Sequence, residues 1–327
     1  MSRYNAWLLS KLHAVNGFLL AKYFHRTPFY ATYNVTFRCN SRCVYCDYWK
    51  QDWPELRTED ALRVVDRIAE SGVSMLAISG GEPLLRKDIA EILKEARNVG
   101  TLNTLNTSGL IRNEPLAKEI SRLIDALTIS IDGPPEIHDQ QRGIRGAYER
   151  SLGTLKMYKS LGIYTGVNLV LTELNKDHLW EVFEMIDDYI DFMTVQPVNP
   201  PSGRITEDNL KALERIRSTG KLLLPETYIK RMKDYYEGKF SKICEALGLY
   251  FAVDPMGNLM PCAPRHDIKL GNLLESSYME LVRNASPASI KKINDCTGCY
   301  LVCTVGISDQ INYPIIKSAY ENIRAYL

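Results

Sequence analysis

Apolar residues recur along this chain in two alternating rhythms. Short, mostly apolar runs occupy Tyr30 to Phe37, Met75 to Ser79, Thr101 to Asn106, Ala126 to Ile131, Thr165 to Leu171 and Asp191 to Gln196. Between them apolar positions return at helical spacing, as at Leu62, Val65, Ile68 and Ala69. Runs of the first kind read as strands buried on both faces and the second kind as amphipathic helices. Together they predict a βαβα order, which is a parallel sheet wrapped by helices. Thr58, ahead of Glu59 and Asp60, predicts a capped helix start with an acidic first turn. Six strands suffice for a partial barrel, but periodicity alone leaves an open sheet, a full (β/α)8 barrel and a partial one all open.

The first segment breaks the rhythm. Trp7, Leu8, Leu12, Val15, Phe18, Leu19 and Phe24 fall largely on one side of a helix, with Lys11, His13, Lys22 and His25 interspersed. Ser10, Lys11, His13 and Asn16 interrupt the apolar run, so neither a membrane-spanning helix nor a signal peptide fits. The expectation is a cover packed under the main domain, with a membrane-surface helix as the functional alternative.

Composition narrows the class. The 327 residues are 45% hydrophobic and carry 40 Lys and Arg against 39 Asp and Glu, enough for a large core and no basis for capturing a polyanion. The eight cysteines stand in two separated groups, which favours metal ligation in a reducing cytoplasm over a disulfide framework.

The first group, Cys39-x-x-x-Cys43-x-x-Cys46, directly follows the first strand. Three thiolates so spaced can hold three irons of a [4Fe–4S] cluster and leave the fourth open for chemistry. A three-cysteine zinc site is the plainer alternative, but zinc usually takes four ligands in paired spacings and no fourth lies nearby. With Tyr45 before the last cysteine, the segment resembles the signature of the radical S-adenosylmethionine (SAM) enzymes. That resemblance implies a (β/α)6 partial barrel with the cluster at the C-terminal mouth of the strands, where parallel α/β folds place their chemistry. It also implies that the open iron is chelated by SAM.

Other strand ends extend the resemblance. Gly80-Gly81-Glu82-Pro83 resembles the family's GGEP turn, which implies that Gly80, Gly81, Glu82 and Pro83 meet the SAM amino group, with Glu82 as its acceptor. Asn106-Thr107-Ser108-Gly109 resembles its TNG turn. Ser130-Ile131-Asp132-Gly133, then His138-Asp139 and Arg142-Gly143, resemble its SIDG and HDxxRG segments. On that reading Ser130 and Asp132 join the cofactor site and Arg142 pairs with the SAM carboxylate, while Asn168 and Gln196 line the adenosine. His138 and Asp139 receive no acid–base role, and no catalytic residue is assigned.

The second group comprises Cys244, then Gly257-x-x-x-x-Cys262, then Cys296-x-x-Cys299-x-x-x-Cys303. Between its first members, Leu249 to Asp254 and Leu259 to Pro261 flank Pro255-Met256-Gly257-Asn258, a β-hairpin pattern. This arrangement resembles the auxiliary-cluster domains called SPASM and twitch. It implies one further [4Fe–4S] cluster on Cys244, Cys262, Cys296 and Cys299, with Cys303 spare or replacing Cys296 or Cys299. Structural zinc is the alternative here too.

The expected organisation is an N-terminal helix over 1–27, a core over 28–220, an auxiliary domain over 221–305 and a helical tail over 306–327. The resemblance implies reductive cleavage of SAM to a 5′-deoxyadenosyl radical that abstracts hydrogen from substrate. The electron would come from a donor such as flavodoxin or ferredoxin. The expected reaction is oxidative modification of a small molecule or peptide. Modification of a membrane lipid of hopanoid or isoprenoid type is the alternative, with the N-terminal helix as a peripheral contact. A non-catalytic two-cluster electron carrier is the alternative of another class, disfavoured because a carrier needs neither the barrel nor the GGEP turn.

Overall fold

The computed structural model describes Gly17, Leu19, residues 28–50 and residues 53–312. One eight-stranded sheet organises it. Its strands are β1 (Tyr30–Thr36), β2 (Met75–Gly80), β3 (Leu102–Thr107), β4 (Ala126–Ser130), β5 (Tyr164–Leu171), β6 (Phe192–Pro197), β7 (Tyr250–Val253) and β8 (Leu259–Met260). The order across the sheet is β6-β5-β4-β3-β2-β1-β7-β8, with two free ends, so the barrel is open. Each predicted run is a strand, with ends displaced by about a residue.

Every neighbouring pair is parallel except β7 with β8. Connecting helices therefore cover the sheet, and the strands are buried on both faces: all of β1 after Tyr30 is buried. Helix Thr58–Glu70 buries Ala61, Val64, Val65 and Ile68, with Leu62 half-buried at the edge of that stripe. Thr58 does not cap this helix. Arg57 holds the cap position without a side-chain bond, and the Thr58 hydroxyl donates to Asp88 Oδ2 over 2.8 Å. Asp88 in turn pairs with buried Arg86, whose guanidinium also donates to the carbonyls of Val35 and Leu56. The Thr58 hydroxyl thus serves a tertiary network at the end of β1.

The predicted hairpin is present as β7 and β8, and it continues the core sheet. Tyr30 stands opposite Met75 on one side and Tyr250 on the other, so β1 is flanked by β2 and by the C-terminal hairpin. This register brings the second cysteine group beside the strand that carries the first. Of the N-terminal helix, all but Gly17 and Leu19 lie outside the described residues, as does the tail beyond residue 312. Among the described residues no helix is long and apolar enough to cross a membrane.

Candidate metal centre and cofactor site

Cys39, Cys43 and Cys46 occupy the loop leaving β1, and all three are free thiols. Backbone bonds hold the loop: Arg42 N–H donates to Arg142 O over 2.9 Å, Val44 N–H to Gln141 O over 3.0 Å and Cys46 N–H to Cys43 O over 3.2 Å. The Trp49 indole donates to Cys43 O over 3.3 Å. Burial pushes the Cys39 thiol up to about 11, with the other two cysteines adding to the rise. Burial likewise raises Cys46. Metal-free, these groups hold their protons, and loading with iron must release them.

The glycines of the GGEP turn are required by the chain itself. Gly80 has φ +138°, and a Cβ there would lie 2.2 Å from Thr36 O; one on Gly81 would lie 2.3 Å from Arg38 O. The turn is therefore pressed against the first residues of the cysteine loop, and Gly81 N–H and Glu82 N–H donate to Thr36 O and Arg38 O. Pro83 of the turn is buried. Glu82 is fully buried and accepts from Leu84 N–H, Thr107 Oγ1, Ser108 N–H and Ser108 Oγ. Those four bonds use all its strong acceptor positions. Glu82 thus ties the β2 turn to the β3 turn. Burial raises its pKa, and the bonds from Ser108, Thr107 and Leu84 oppose the rise.

Asp132 and Arg142 form a second buried knot. Asp132 accepts from the Tyr45 hydroxyl over 2.8 Å and from Val170 N–H over 2.9 Å, and its Oδ2 lies 2.8 Å from Arg142 Nε. The Arg142 guanidinium packs over the Tyr45 ring and points Nη1 at Cys43 Sγ, 3.6 Å away. Burial alone would lower the Arg142 pKa, but Asp132, Tyr45 and Cys43 outweigh it and hold the guanidinium charged. Arg142 is thus engaged by Asp132 and Cys43. Its Nη2 is a buried donor without a hydrogen-bond partner.

His138 accepts the Asp132 N–H at Nδ1 over 3.0 Å, and burial lowers its pKa to about 4. Asp139 accepts from Gly146 and Tyr148 N–H at the start of the next helix. Ser130 is half-buried at the end of β4. Asn168 accepts from Thr194 Oγ1 over 2.9 Å, and Gln196 Oε1 accepts from Val302 N–H over 3.0 Å. Gln196 therefore anchors the C-terminal segment.

The second group gathers from four places. Cys244 lies in the loop before β7, Cys262 follows β8, Cys296 follows helix Pro287–Asn294, and Cys299 and Cys303 flank the start of the π-helical turn Val302–Gly306. Burial pushes Cys303 up to about 12 and raises Cys262 well above its ordinary value, the latter reinforced by Cys299, Cys303 and Cys244. Cys299 is raised by burial and then, among its charged neighbours, by Cys244 and Cys296. A small core of Leu249 and Tyr250 packs against Cys244 and Cys262. Among the described residues no three His, Cys, Asp or Glu side chains close on a single-ion position; the thiols are gathered more widely than that.

The two groups meet at a residue that the sequence reading passed over. Tyr48, two positions after Cys46, donates its hydroxyl to Ala263 O, adjacent to Cys262, over 2.9 Å. Burial raises its pKa first, then Cys46, Cys303, Asp47 and Cys262, so its hydroxyl feels both groups. Phe37, Trp53 and His266 complete an aromatic cluster around it, with ring centroids 4.5 Å apart for Phe37 and Tyr48 and 5.9 Å for Tyr48 and His266. An aromatic so near a cysteine signature was the one available signal; its partner is more than two hundred residues away in sequence.

Electron-rich clusters would fit what surrounds the thiols. Ser41 Oγ and Arg142 Nη2 are buried donors without hydrogen-bond partners near the first group, and the buried Tyr250 hydroxyl lies against Cys244 of the second. Such orphans are costly unless a ligand completes them.

Comparison with known proteins agrees with this geometry. Residues 33–186 match the radical SAM superfamily, and residues 244–300 match an iron–sulfur cluster-binding domain, SPASM. The chain is 35% identical over 160 residues to pre-heme d1 synthase of Dinoroseobacter shibae, covering 48% of this chain and 40% of that protein. It is 28% identical over 257 residues to PqqA peptide cyclase of Bradyrhizobium diazoefficiens, covering 72% and 66% respectively. Its fold resembles that of anSMEcpe with bound AdoMet, with a TM-score of 0.63 and 18% identity over 90% of this chain and all of that one. The matched region spans about two fifths of the length of the first curated relatives.

Proposed function

From a chain that belongs to the radical SAM superfamily and carries a SPASM iron–sulfur domain, we infer an enzyme that cleaves SAM reductively and oxidatively modifies a peptide or small molecule. The observation that carries this reading is the Tyr48 contact, which joins the core cysteine loop to the second cysteine group. A protein that only generated a radical would need no second group so placed; one that also removes an electron from substrate would.

Bound at Cys39, Cys43 and Cys46, an iron–sulfur cluster with SAM supplies one-electron cleavage chemistry. The chain's own residues support that site. Gly80 and Gly81 let the turn close on the loop, Glu82 locks the β2 and β3 turns together, and Arg142 keeps a positive charge beside Cys43. The burial of Cys43, Glu82, Asp132 and Arg142 excludes water from the inner side. Cys244, Cys262, Cys299 and either Cys296 or Cys303 would hold the second cluster. The alignment to PqqA peptide cyclase runs over more of this chain than that to pre-heme d1 synthase, which supports testing peptides alongside tetrapyrroles.

The deciding experiment is 5′-deoxyadenosine production by anaerobically reconstituted, dithionite-reduced protein with SAM. Stimulation by a soluble cell extract and not by a lipid extract is expected. Stimulation by lipid alone would move the substrate class to a membrane lipid. No 5′-deoxyadenosine from protein with full iron content would overturn the reading.

A further inference from the structure

The second group has five thiols, Cys244, Cys262, Cys296, Cys299 and Cys303, and a [4Fe–4S] cluster takes four. The fold fixes the last of them most firmly. Cys303 lies within the π-helical turn Val302–Gly306, a rare geometry that recurs mostly at functional sites. Val302 N–H fixes the start of that turn on Gln196 Oε1, and Thr304 and Val305 N–H close it on Leu301 O. Its far end runs into helix Ile307–Asn312 and is tied to the other cysteine segments. Ile307 packs with Cys244 and Cys262 on the small core of Leu249 and Tyr250, and Ser308 Oγ accepts from the N–H of Glu245, next to Cys244, over 3.3 Å. Cys299 Sγ lies 3.3 Å from Thr304 Oγ1, so that thiol is turned toward the residue after Cys303. The electrostatics agree: after burial, Cys299 and then Cys303 do most to raise Cys262.

Cys296 is held from outside. It follows helix Pro287–Asn294, none of whose residues is buried, and its neighbours Asp295 and Thr297 are exposed. Its N–H turns back to Ile293 O in the last turn of that helix. The Arg265 guanidinium grips Asp267 over 2.7 and 2.9 Å, donates to Lys292 O over 3.4 Å and also bonds the Cys296 thiol. Asp267 and Lys292 are themselves exposed. The contacts that fix Cys296 therefore belong to the rim, and those that fix Cys303 belong to the loop of Cys244 and the end of β6.

We propose that the second cluster is ligated by Cys244, Cys262, Cys299 and Cys303, and that Cys296 stays a free thiol bonded to Arg265. The proposal rests on the second-cluster reading above and selects among its thiols. On loading, each ligating thiol gives its proton to water and gains one bond to iron, with no change of oxidation state. A thiol already fixed between two other ligand segments loses little further freedom on binding, which favours Cys303 over one at the end of an exposed helix.

The test uses the reconstituted full chain and reads thiols and iron instead of turnover. Iodoacetamide followed by peptide mass mapping should label Cys296 in the loaded protein, and Cys303 only after the iron has been chelated out. In the Cys39→Ala/Cys43→Ala/Cys46→Ala background, adding Cys296→Ala should leave roughly four irons per chain, and adding Cys303→Ala should lower iron about twofold or more. Cys303→Ser, whose oxygen can stand in for the sulfur, should keep iron and shift the EPR signal of the dithionite-reduced cluster, a change that misfolding alone would not give. Should Cys303→Ala fail to fold, the labelling of the unsubstituted group decides. Protection of Cys296 in the loaded protein, loss of iron with Cys296→Ala, or full iron with Cys303→Ala would overturn the assignment and leave the second cluster in place. No iron on the unsubstituted C-terminal group would instead defeat the parent reading, and the assignment with it.

Discussion

The two cysteine groups reach similar density by opposite routes. The first comes from one loop: Cys39, Cys43 and Cys46 lie within eight residues and are held by backbone bonds to the end of a single helix. The second is drawn from a loop, a hairpin end, a helix end and a π-helical turn spread from Cys244 to Cys303. Its cohesion depends on distant contacts. Tyr228 and Tyr300 donate to each other's carbonyls, Gln196 holds Val302, and Tyr48 holds Ala263. A ligand set within one loop survives loss of its surroundings, whereas one assembled from four segments should not.

The sharpest break of this comparison removes one group and asks whether the other remains. Cys39→Ala/Cys43→Ala/Cys46→Ala should abolish 5′-deoxyadenosine formation yet keep roughly four irons on the C-terminal group, by the stoichiometry of a four-cysteine site. Tightly bound zinc in place of that iron would refute the cluster assignment.

Next in size is Glu82→Gln. The amide presents –NH2 to one backbone N–H and one hydroxyl; the hydroxyl can turn and accept, but the N–H is left unpaired in a buried site at about 2 kcal/mol. Urea unfolding should report that loss, with C-terminal iron retained. A loss below about 1 kcal/mol would mean that the knot is not needed to hold the two turns.

His138 gives the first region an acid sensitivity of its own. Its folded pKa of about 4 lies below the ordinary 6.5. Between those values the unfolded chain takes up a proton that the folded one refuses, so stability is full above about pH 6.5 and falls as the pH drops toward 4. The most this can cost is about 3 kcal/mol. His138→Asn, whose carbonyl can still accept the Asp132 N–H, should lose less stability than wild type between pH 7 and 5; parallel pH profiles would count against the assignment.

The smallest expected effect tests the link between the regions. Tyr48→Phe keeps the ring in its aromatic cluster and removes only the donation to Ala263, at about 1 kcal/mol. Iron content should be preserved while the second cluster's midpoint potential shifts. An unchanged potential would show that the second group holds its place without the hydroxyl.

Much of the architecture was legible because burial on both faces favours apolar runs, clear in β2, β4, β5 and β6 and interrupted by polar residues in β1 and β3. The hairpin of β7 and β8 was legible as a hairpin, from its Pro/Gly turn, but its pairing with β1 was not, since no local pattern encodes which strand a four-residue partner will join. Thr58, Glu82, Arg142 and Gln196 show a common limit. Each is engaged by a residue brought near only by folding, a contact that its own neighbourhood in sequence does not announce.

By itself the sequence determined the alternation of strands and helices, the identity of the two cysteine groups and the place of the first at a strand end. These are matters of period and spacing, set within a few residues. Only the tertiary structure decided that the C-terminal hairpin lies against β1 and that Tyr48 joins the two groups. Those outcomes depend on which surfaces meet once the sheet has formed, and contact between residues two hundred positions apart leaves no trace in either one's neighbourhood.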